Sequence, residues 1–180
     1  MLWHHQEIYT RNKDRTVRKE GSTNRTETAR GEINKIAGTT GSIQDGKGRC
    51  DLIPLGVVGV HINAPALTYI SAFQESGDIK RLYEALTASG VYHDPYSMLL
   101  ELSVHFEEGA QKYGEYNWQK GIPSHCYIDS AVRHYLKWRR GDDDERHDRA
   151  FVWNIVCCIW TCLYKPELND YKERDKNDVE

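Results

Sequence analysis

The stretch FVWNIVCCIWTCL, Phe151 to Leu163, decides the fold. It is apolar almost all round a helix, which is the pattern of a helix buried at the centre of a helical protein. Four acids, DDDE at 142–145, precede it, and Pro166 follows it. Because carboxylates favour the positive end of a helix and proline ends one, the sequence predicts a central helix that opens in these acids and stops before Pro166.

Two amphipathic helices are predicted on the N-terminal side of this central helix. The Asp-Pro pair at 94–95 supplies an N-cap and a first helical residue for a helix that runs to about Tyr113. The other helix is predicted from Ser124, as its cap, to about residue 140. A shorter helix is expected over 78–87, where apolar residues recur at helical spacing. The predicted fold class is therefore mainly α, a helical bundle with an irregular N-terminal extension.

The chain of 180 residues is long enough for one domain with a buried core and too short for two large ones. Residues 1–45 are polar and lack apolar periodicity, so we expect a flexible arm. A helical domain is predicted over 46–166, followed by a charged tail over 167–180 that frays from Asn169. The segment GSIQDGKG at 41–48 has the glycine and lysine spacing of a phosphate-binding loop. It ends in glycine where such a loop needs a hydroxyl, so none is assigned.

The composition excludes several classes of protein. A formal net charge of -3 gives no global basic field, so nucleic acid is not an expected partner, although contact through the arm remains a weaker hypothesis. The sequence lacks the apolar core of a signal peptide and any run long enough to span a bilayer, which predicts a cytoplasmic protein without a membrane partner. Five cysteines without paired spacing predict buried free thiols.

Five side chains on the predicted helices form a candidate metal site. Glu101, His105 and Glu108 fall on one stripe of the first amphipathic helix. Glu145 and Asp148 are three residues apart at the predicted start of the central helix. Because carboxylates at helical spacing are suited to hard cations, we predict that these five residues bind Mg²⁺ or Mn²⁺. The alternative is that the acids are solvated or paired with nearby arginines.

The loop between the two amphipathic helices, KYGEYNWQKGIP at 112–123, combines aromatic faces with cations and an amide. Such groups can stack a base, bind its edge and contact phosphates. The substrate-binding candidates are Tyr113, Asn117, Trp118, Lys120 and Asn154. The catalytic candidates are Lys112, Asp129, Arg133 and His134. For Trp118 and Asn154 the alternative is a structural role in the core.

A rival metal site would use the adjacent pair His147 and Asp148, with His105 or His134 before it and Asp170 after it. This is the ligand order of HD phosphohydrolases. In those proteins the last aspartate lies on a distant helix, whereas here only one helix and the tail follow the pair. The HD-type site is kept as an alternative.

The run from His105 to Asn154, HFEEGAQKYGEYNWQKGIPSHCYIDSAVRHYLKWRRGDDDERHDRAFVWN, closely resembles the dATP/dGTP diphosphohydrolase N-terminal family of phage and bacterial proteins. GKGRCDLIPL at 46–55 matches the entry segment of that family, and KYG-x-x-NW-x-KG is a long and specific motif. The resemblance covers Gly46 to about Pro166. It implies a fold similar to the all-α MazG-like pyrophosphatases, which use Mg²⁺ on paired helices and often form dimers or tetramers. It also implies a bacterial or phage-infected host cytoplasm.

The activity that the resemblance implies is hydrolysis of a purine (deoxy)nucleoside triphosphate to monophosphate and pyrophosphate. The five predicted ligands would bind the metal ion. Lys112, Lys120 and Arg133 would contact phosphates, and Asn117 with Trp118 would hold the base. The residue that orients the attacking water would be Asp129 or His134.

This sequence departs from the MazG-like pattern at two points. MazG-like enzymes carry E-x-x-E on the first helix, where the nearest match is His105-x-x-Glu108. A whole additional helix then precedes Glu145-x-x-Asp148. These departures motivate a second hypothesis, in which the protein binds and sequesters a nucleotide without hydrolysing it.

Overall fold

The structure is a computed structural model that describes residues 47–171, so the predicted arm and residues 172–180 of the predicted tail lie outside the described residues. In this range the chain forms six α-helices, three short 3-10 helices and no strand, which confirms the mainly α fold class. The α-helices are α1 (Leu55–His61), α2 (Pro65–Ser76), α3 (Lys80–Ala88), α4 (Pro95–Tyr113), α5 (Ser124–Arg140) and α6 (His147–Tyr164). The 3-10 helices are Cys50–Leu52, Asn117–Lys120 and Pro166–Leu168. None of the helices over 47–171 has the length and apolar character that crossing a membrane requires.

The helix α6 is the central helix of the described fold, as its apolar run predicts. Most of its side chains over 150–162 are buried, and it packs mainly against α5, with further contacts to α3 and α4. The predicted start is wrong, because α6 begins at His147 and the four acids lie in the preceding loop. Basic residues of α5 hold two of these acids in the loop, through the pairs Arg140–Asp142 and Lys137–Asp144. These contacts place Asp142 and Asp144 beside the C-terminal turns of α5 and outside α6.

The helix α4 has the predicted bounds, and its first turn is capped as expected. The Asp94 carboxylate accepts the backbone N–H groups of Tyr96 at 3.2 Å and Ser97 at 2.9 Å. These are two of the amides that the start of a helix leaves without a partner. The outer side of α4 leaves an apolar stripe exposed, consisting of Tyr96, Leu99, Leu100 and Val104.

Two helices are capped by carboxylates that the sequence did not single out as caps. Ser124 is the first residue of α5 and not its cap, and its hydroxyl donates to Asp170. Asp170 also accepts the backbone N–H of His125 at 3.0 Å, so it caps α5 from the far end of the described chain. The helix α3 begins two residues later than predicted, because the Asp78 carboxylate accepts the backbone N–H of Lys80 at 3.0 Å.

Residues 169–171 are part of the folded domain, so the predicted fraying from Asn169 is wrong there. Tyr171 is 2% exposed, and its ring packs edge-on against Phe73 of α2 with the centroids 5.4 Å apart. The Asn169 side-chain amide donates to the carbonyl of Gly77 at 3.0 Å. Burial of an aromatic ring therefore anchors a segment whose charged sequence suggested solvent.

All five cysteines are free thiols, as the sequence predicts, and all except Cys50 are buried. Burial raises the pKa of the Cys157 thiol well above its usual range. This thiol is therefore protonated at neutral pH and behaves as a small apolar side chain in α6.

Candidate functional site

A cavity of about 950 Å³ opens between the C-terminal half of α4, the loop at 114–122 and the facing sides of α5 and α6. Its aromatic lining consists of Phe106, Tyr113, Tyr116, Trp118, Tyr127 and Trp153. Its polar lining includes Lys112, Asn117, Ser130 and Asn154. A concave, mainly apolar space with a few convergent polar groups is typical of a small-molecule site, and this volume suits a nucleotide.

The loop at 114–122 takes its shape from three residues with positive φ, namely Gly114 at 92°, Tyr116 at 57° and Gly121 at 70°. Tyr116 adopts the left-handed region without being glycine, which costs conformational energy. A β-carbon on Gly121 would lie 2.8 Å from Leu168 Cδ1, so only glycine allows the loop to pack against the segment after α6. The glycines of the KYGEYNWQKG motif thus form one end of the cavity.

Trp118 has the structural role in the core that the sequence left open, and its ring also lines the cavity. Its ring packs edge-on against Trp160, with centroids 4.9 Å apart, and against Phe106 at 5.3 Å. Phe106 in turn contacts Trp153 at 6.2 Å. Trp118 is therefore fixed by the aromatic cluster while it lines the cavity.

Three of the other predicted substrate-binding residues line the cavity, and the fourth, Lys120, does not. Tyr113, Asn117 and Asn154 line the cavity, and the Asn154 side-chain amide also donates to the Ala150 carbonyl at 2.8 Å. Lys112 lies at the cavity with its ammonium 4.9 Å from the centre of the Tyr113 ring. Lys120 is exposed and does not contribute to the lining of the cavity.

A line of alternating charges joins α4 to the first turn of α6. The Arg146 guanidinium contacts Glu101 of α4 at 3.1 Å and Asp148 of α6 at 2.7 Å. One nitrogen of Arg149 donates to both carboxylate oxygens of Glu108, at 3.1 and 3.3 Å. We call these five residues the charged seam. It contains three of the predicted metal ligands, each in contact with an arginine. Only Glu101 and Asp148 share one, whereas Glu108 pairs with Arg149 and also lines the cavity.

Three buried polar atoms without a hydrogen-bond partner lie on the residues of this region: Tyr92 Oη, His105 Nδ1 and Arg149 Nε. Burial lowers the pKa of His105, and the positive charge of Arg149 lowers it further. Burial likewise raises the pKa of Tyr92 to about 12. Buried polar groups normally have partners, so these three atoms are available to a water molecule or to a polar ligand.

Glu145, the remaining predicted carboxylate, lies apart from the seam in a cluster with two histidines. Its Oε1 is 3.3 Å from His134 Nδ1 and 3.2 Å from His147 Nδ1. Burial lowers the pKa of His134 to about 4. His134 is therefore neutral at physiological pH, and it does not line the cavity.

Asp129 and Arg133 bind each other and the entry segment of the domain. The Asp129 carboxylate accepts the backbone N–H of Cys50 at 2.6 Å, and Arg133 donates to the Gly48 carbonyl at 2.8 Å. Neither residue lines the cavity. In this structure they fasten residues 48–50 to α5, and their predicted catalytic roles have no geometric support.

The ligand set of the HD-type alternative is not assembled. His147 lies beside His134, with their Nδ1 atoms 3.0 Å apart, but the Asp148 carboxylate is held by Arg146. Asp170 pairs with His125, nine residues before His134 on α5. At 1.5 Å per helical residue this is roughly 13 Å along the axis, too far for Asp170 to join the pair.

Sequence reasoning missed three residues of the site: Arg146, Arg149 and Trp153. Arg149 and Trp153 are four residues apart, which places both on the face of α6 that meets α4. That spacing was readable in the sequence. The pairing of Arg146 with Glu101 was not, because it joins residues 45 positions apart.

Comparison with known proteins gives one match. No curated protein and no solved structure matches the chain. The model of the family described as dATP/dGTP diphosphohydrolase, N-terminal, matches residues 71–171. This match spans 101 of the 180 residues and includes α3 to α6 with the whole cavity and the charged seam. The chain therefore belongs to the dATP/dGTP diphosphohydrolase, N-terminal family.

Proposed function

We propose that this protein binds a purine deoxynucleoside triphosphate in the cavity and hydrolyses it to the monophosphate and pyrophosphate, with the help of Mg²⁺ or Mn²⁺. The observation that carries the proposal is the continuity between the cavity and the charged seam. Glu108 belongs to both, so a ligand whose base lies among the aromatic rings has its phosphates beside carboxylates and arginines. The family description supports the choice of dATP and dGTP as substrates.

The aromatic lining suits a purine base. Stacking against flat rings is favourable for any base, so Trp118, Tyr113 and Tyr116 supply affinity more than selectivity. The amides of Asn117 and Asn154 can both donate to and accept from the edge of a base, which is where adenine and guanine differ. Lys112 is exposed on the cavity side of α4, where it can contact phosphate oxygens.

The carboxylates of the charged seam are of the type that a hard divalent cation prefers, but no three ligand atoms of the seam lie together in residues 47–171. Glu101 and Asp148 come from two helices and face the same guanidinium, so a positive charge already occupies the space between them. The Arg146 side chain is half-exposed and can turn outward when an ion replaces it. Glu108 lies two helical turns from Glu101, roughly 10 Å along the axis of α4, and pairs with Arg149. We infer that Glu101 and Asp148 would hold the ion, with phosphate oxygens and water as its other ligands. Bound there, Mg²⁺ would neutralise charge on the phosphate oxygens.

Arg146 has a second use once an ion neutralises the carboxylates that it contacts. Arg146 would then be free to bind the departing pyrophosphate, as planar guanidinium groups bind phosphate oxygens well. His105 is neutral and has an unpartnered Nδ1, so it can accept a proton from the attacking water. We prefer His105 to Asp129 or His134 for this role, because it lines the cavity and they do not.

Binding without turnover is the second candidate function, and one observation favours it. Every carboxylate of the seam contacts an arginine in the described structure, and Glu101 and Asp148 share one. Such a seam could bind the phosphates of a nucleotide through its arginines without recruiting an ion. The protein would then sequester a nucleotide.

The test is product analysis with each deoxynucleoside triphosphate in turn, with and without Mg²⁺, using ion-exchange chromatography. Release of monophosphate and pyrophosphate from dATP or dGTP is the expected result. Release of inorganic triphosphate would instead support HD-type chemistry. Tight binding in calorimetry with the nucleotide recovered intact would support sequestration.

Matched variants connect the activity to the seam. Glu101→Gln and Asp148→Asn should each lower turnover by more than about tenfold, because each removes one charged oxygen donor. Glu84→Gln is the control, since Glu84 is an exposed acid of α3 that pairs with Arg81. Equal activity in all three variants would exclude the seam as the site of catalysis.

A further inference from the structure

Three potential ligand atoms meet at the start of α6, outside the cavity and the charged seam. His134 Nδ1 and His147 Nδ1 are 3.0 Å apart. Glu145 Oε1 is 3.3 Å from the first and 3.2 Å from the second. The three atoms thus form a nearly equilateral triangle, contributed by α5, by α6 and by the loop between them. We call these three residues the His-His-Glu triangle.

The edges of this triangle match the coordination shell of a first-row transition metal. With metal-ligand bonds of about 2.0–2.1 Å, neighbouring ligands are about 3.3 Å apart in a tetrahedron and about 2.9 Å apart in an octahedron. The observed separations of 3.0 to 3.3 Å lie within this range. Two imidazoles and one glutamate form a recurrent set of protein ligands for Zn²⁺.

A hydrogen bond outside the triangle orients one of its ligands. His147 Nε2 is 2.7 Å from Asp144 Oδ1, and the carboxylate can only accept a hydrogen bond, so Nε2 carries the hydrogen. In the neutral imidazole this leaves a lone pair on Nδ1, directed into the triangle. A histidine that binds a metal commonly donates its other ring N–H to a carboxylate in this way.

The triangle contains too few hydrogens to satisfy its own contacts. With lone pairs on His147 Nδ1 and Glu145 Oε1, only His134 Nδ1 can donate, and one hydrogen cannot serve three close contacts. His147 is 2% exposed, whereas about half of the Glu145 side chain is exposed, so water reaches the triangle only from the side of Glu145. A cation bound by all three atoms removes the repulsion between them.

The surroundings leave room for a further ligand. A hollow of about 340 Å³ adjoins the triangle and is lined by Glu145 and His147, together with Asp142, Asp143, Arg146, Asp148 and Trp138. Three protein ligands with an open position filled by water is a common arrangement for Zn²⁺.

We propose that His134, Glu145 and His147 form a binding site for a divalent first-row transition metal, with Zn²⁺ as the expected occupant. This site is separate from the carboxylates of the seam, and it does not depend on nucleotide hydrolysis. Imidazole nitrogens favour Zn²⁺ or Co²⁺ over Mg²⁺, so the two sites select different ions. The bound metal ties the loop at 142–146 to α5 and α6.

The test uses the full-length chain, freed of metal and titrated with Co²⁺ as a spectroscopic substitute for Zn²⁺. His4 and His5 lie outside the described residues and could bind Co²⁺ themselves, so all proteins carry His4→Gln and His5→Gln. We expect one Co²⁺ per chain, visible ligand-field absorption bands and a rise in Tm with Zn²⁺. Excess Mg²⁺ should not displace the Co²⁺.

Variants decide whether the triangle holds the ion. Glu145→Gln and His134→Gln should each weaken Co²⁺ binding by at least about tenfold, and Asp144→Asn by about 10- to 100-fold. Glu145 is exposed, so its variant should fold even if a histidine variant does not. His61→Gln is the control, because His61 is an exposed histidine of α1. No stoichiometric binding, or binding that persists in both Glu145→Gln and His134→Gln, would overturn the proposal.

Discussion

Replacing Gly121 with alanine should destabilise the domain through two separable effects. Gly121 has φ 70° and ψ 162°, a region that is nearly restricted to glycine and costs other residues about 1–3 kcal/mol. The new β-carbon would also lie 2.8 Å from Leu168 Cδ1 and 3.2 Å from Thr161 Cγ2. Overpacking of this kind costs about 1–3 kcal/mol more, and the cost is nearest the lower value where the side chains of Leu168 and Lys165 turn aside. The expected total is about 2–6 kcal/mol.

Gly114 supplies the matched control at the other end of the same loop. Its backbone is similar, with φ 92° and ψ 153°, but a β-carbon there would meet no atom within 4 Å. Gly114→Ala should therefore cost only the conformational term of about 1–3 kcal/mol. The free energy of unfolding is measured by urea denaturation followed by far-ultraviolet circular dichroism. Equal losses in the two variants would refute the claim that Gly121 is required by its contacts with residues 161–168.

Three further predictions follow from the ion pairs and from the surface. Arg146→Ala should strengthen Mg²⁺ binding, because Glu101 and Asp148 lose the positive charge between them. The measurement is the rise in Tm on addition of Mg²⁺, and an equal rise in wild type and variant would contradict the prediction. The hydrogen bond to Asp170 raises the pKa of His125 to about 10. We therefore expect the pair to contribute about 1–2 kcal/mol to the free energy of unfolding. This contribution is fully present below pH about 6.5 and is lost as the pH rises through 10. The difference in unfolding free energy between wild type and His125→Gln should therefore shrink at high pH, and a constant difference would argue against the pair. The apolar stripe at 96–104 on α4 is the surface we propose for homo-oligomers, so Leu100→Glu should give a smaller species in analytical ultracentrifugation, and an unchanged mass would exclude this interface.

The parts of the fold that could be predicted from the sequence are those set by local chemistry. Asp94 is a favoured cap, Pro95 is preset for a first helical turn and an amphipathic run follows them, so the beginning of α4 was predicted to the residue. The apolar run of α6 permits only burial, so its central place was also predictable. The loop motif identified the cavity for the same reason. Its glycines, aromatic residues and amide lie within ten positions of one another, and their proximity in space follows from the chain itself.

The partners of the charged residues could not be predicted, because the sequence does not decide between competing interactions. The acids at 142–145 are suited both to a helix start and to ion pairs with the end of α5, and the ion pairs prevail. Ser124 is a good cap by residue type, yet Asp170 takes that role from 45 positions away. In both cases the outcome depends on distances that exist only after the helices have packed.

The segment that precedes α6 shows why a single predicted metal site becomes two candidate sites in the structure. Glu145 and Arg146 are adjacent, but Glu145 reaches His134 of α5 whereas Arg146 reaches Glu101 of α4. Neighbouring side chains of non-helical backbone point in different directions, so Glu145 and Arg146 belong to different candidate sites although they are adjacent in the sequence. Had α6 begun at the acids, as the sequence suggested, Glu145 and Asp148 would share one face and one ion. Because the helix begins at His147, Asp148 lies opposite Glu101 of α4 with Arg146 between them, while Glu145 lies with the two histidines, whose nitrogens favour a softer cation than carboxylates do.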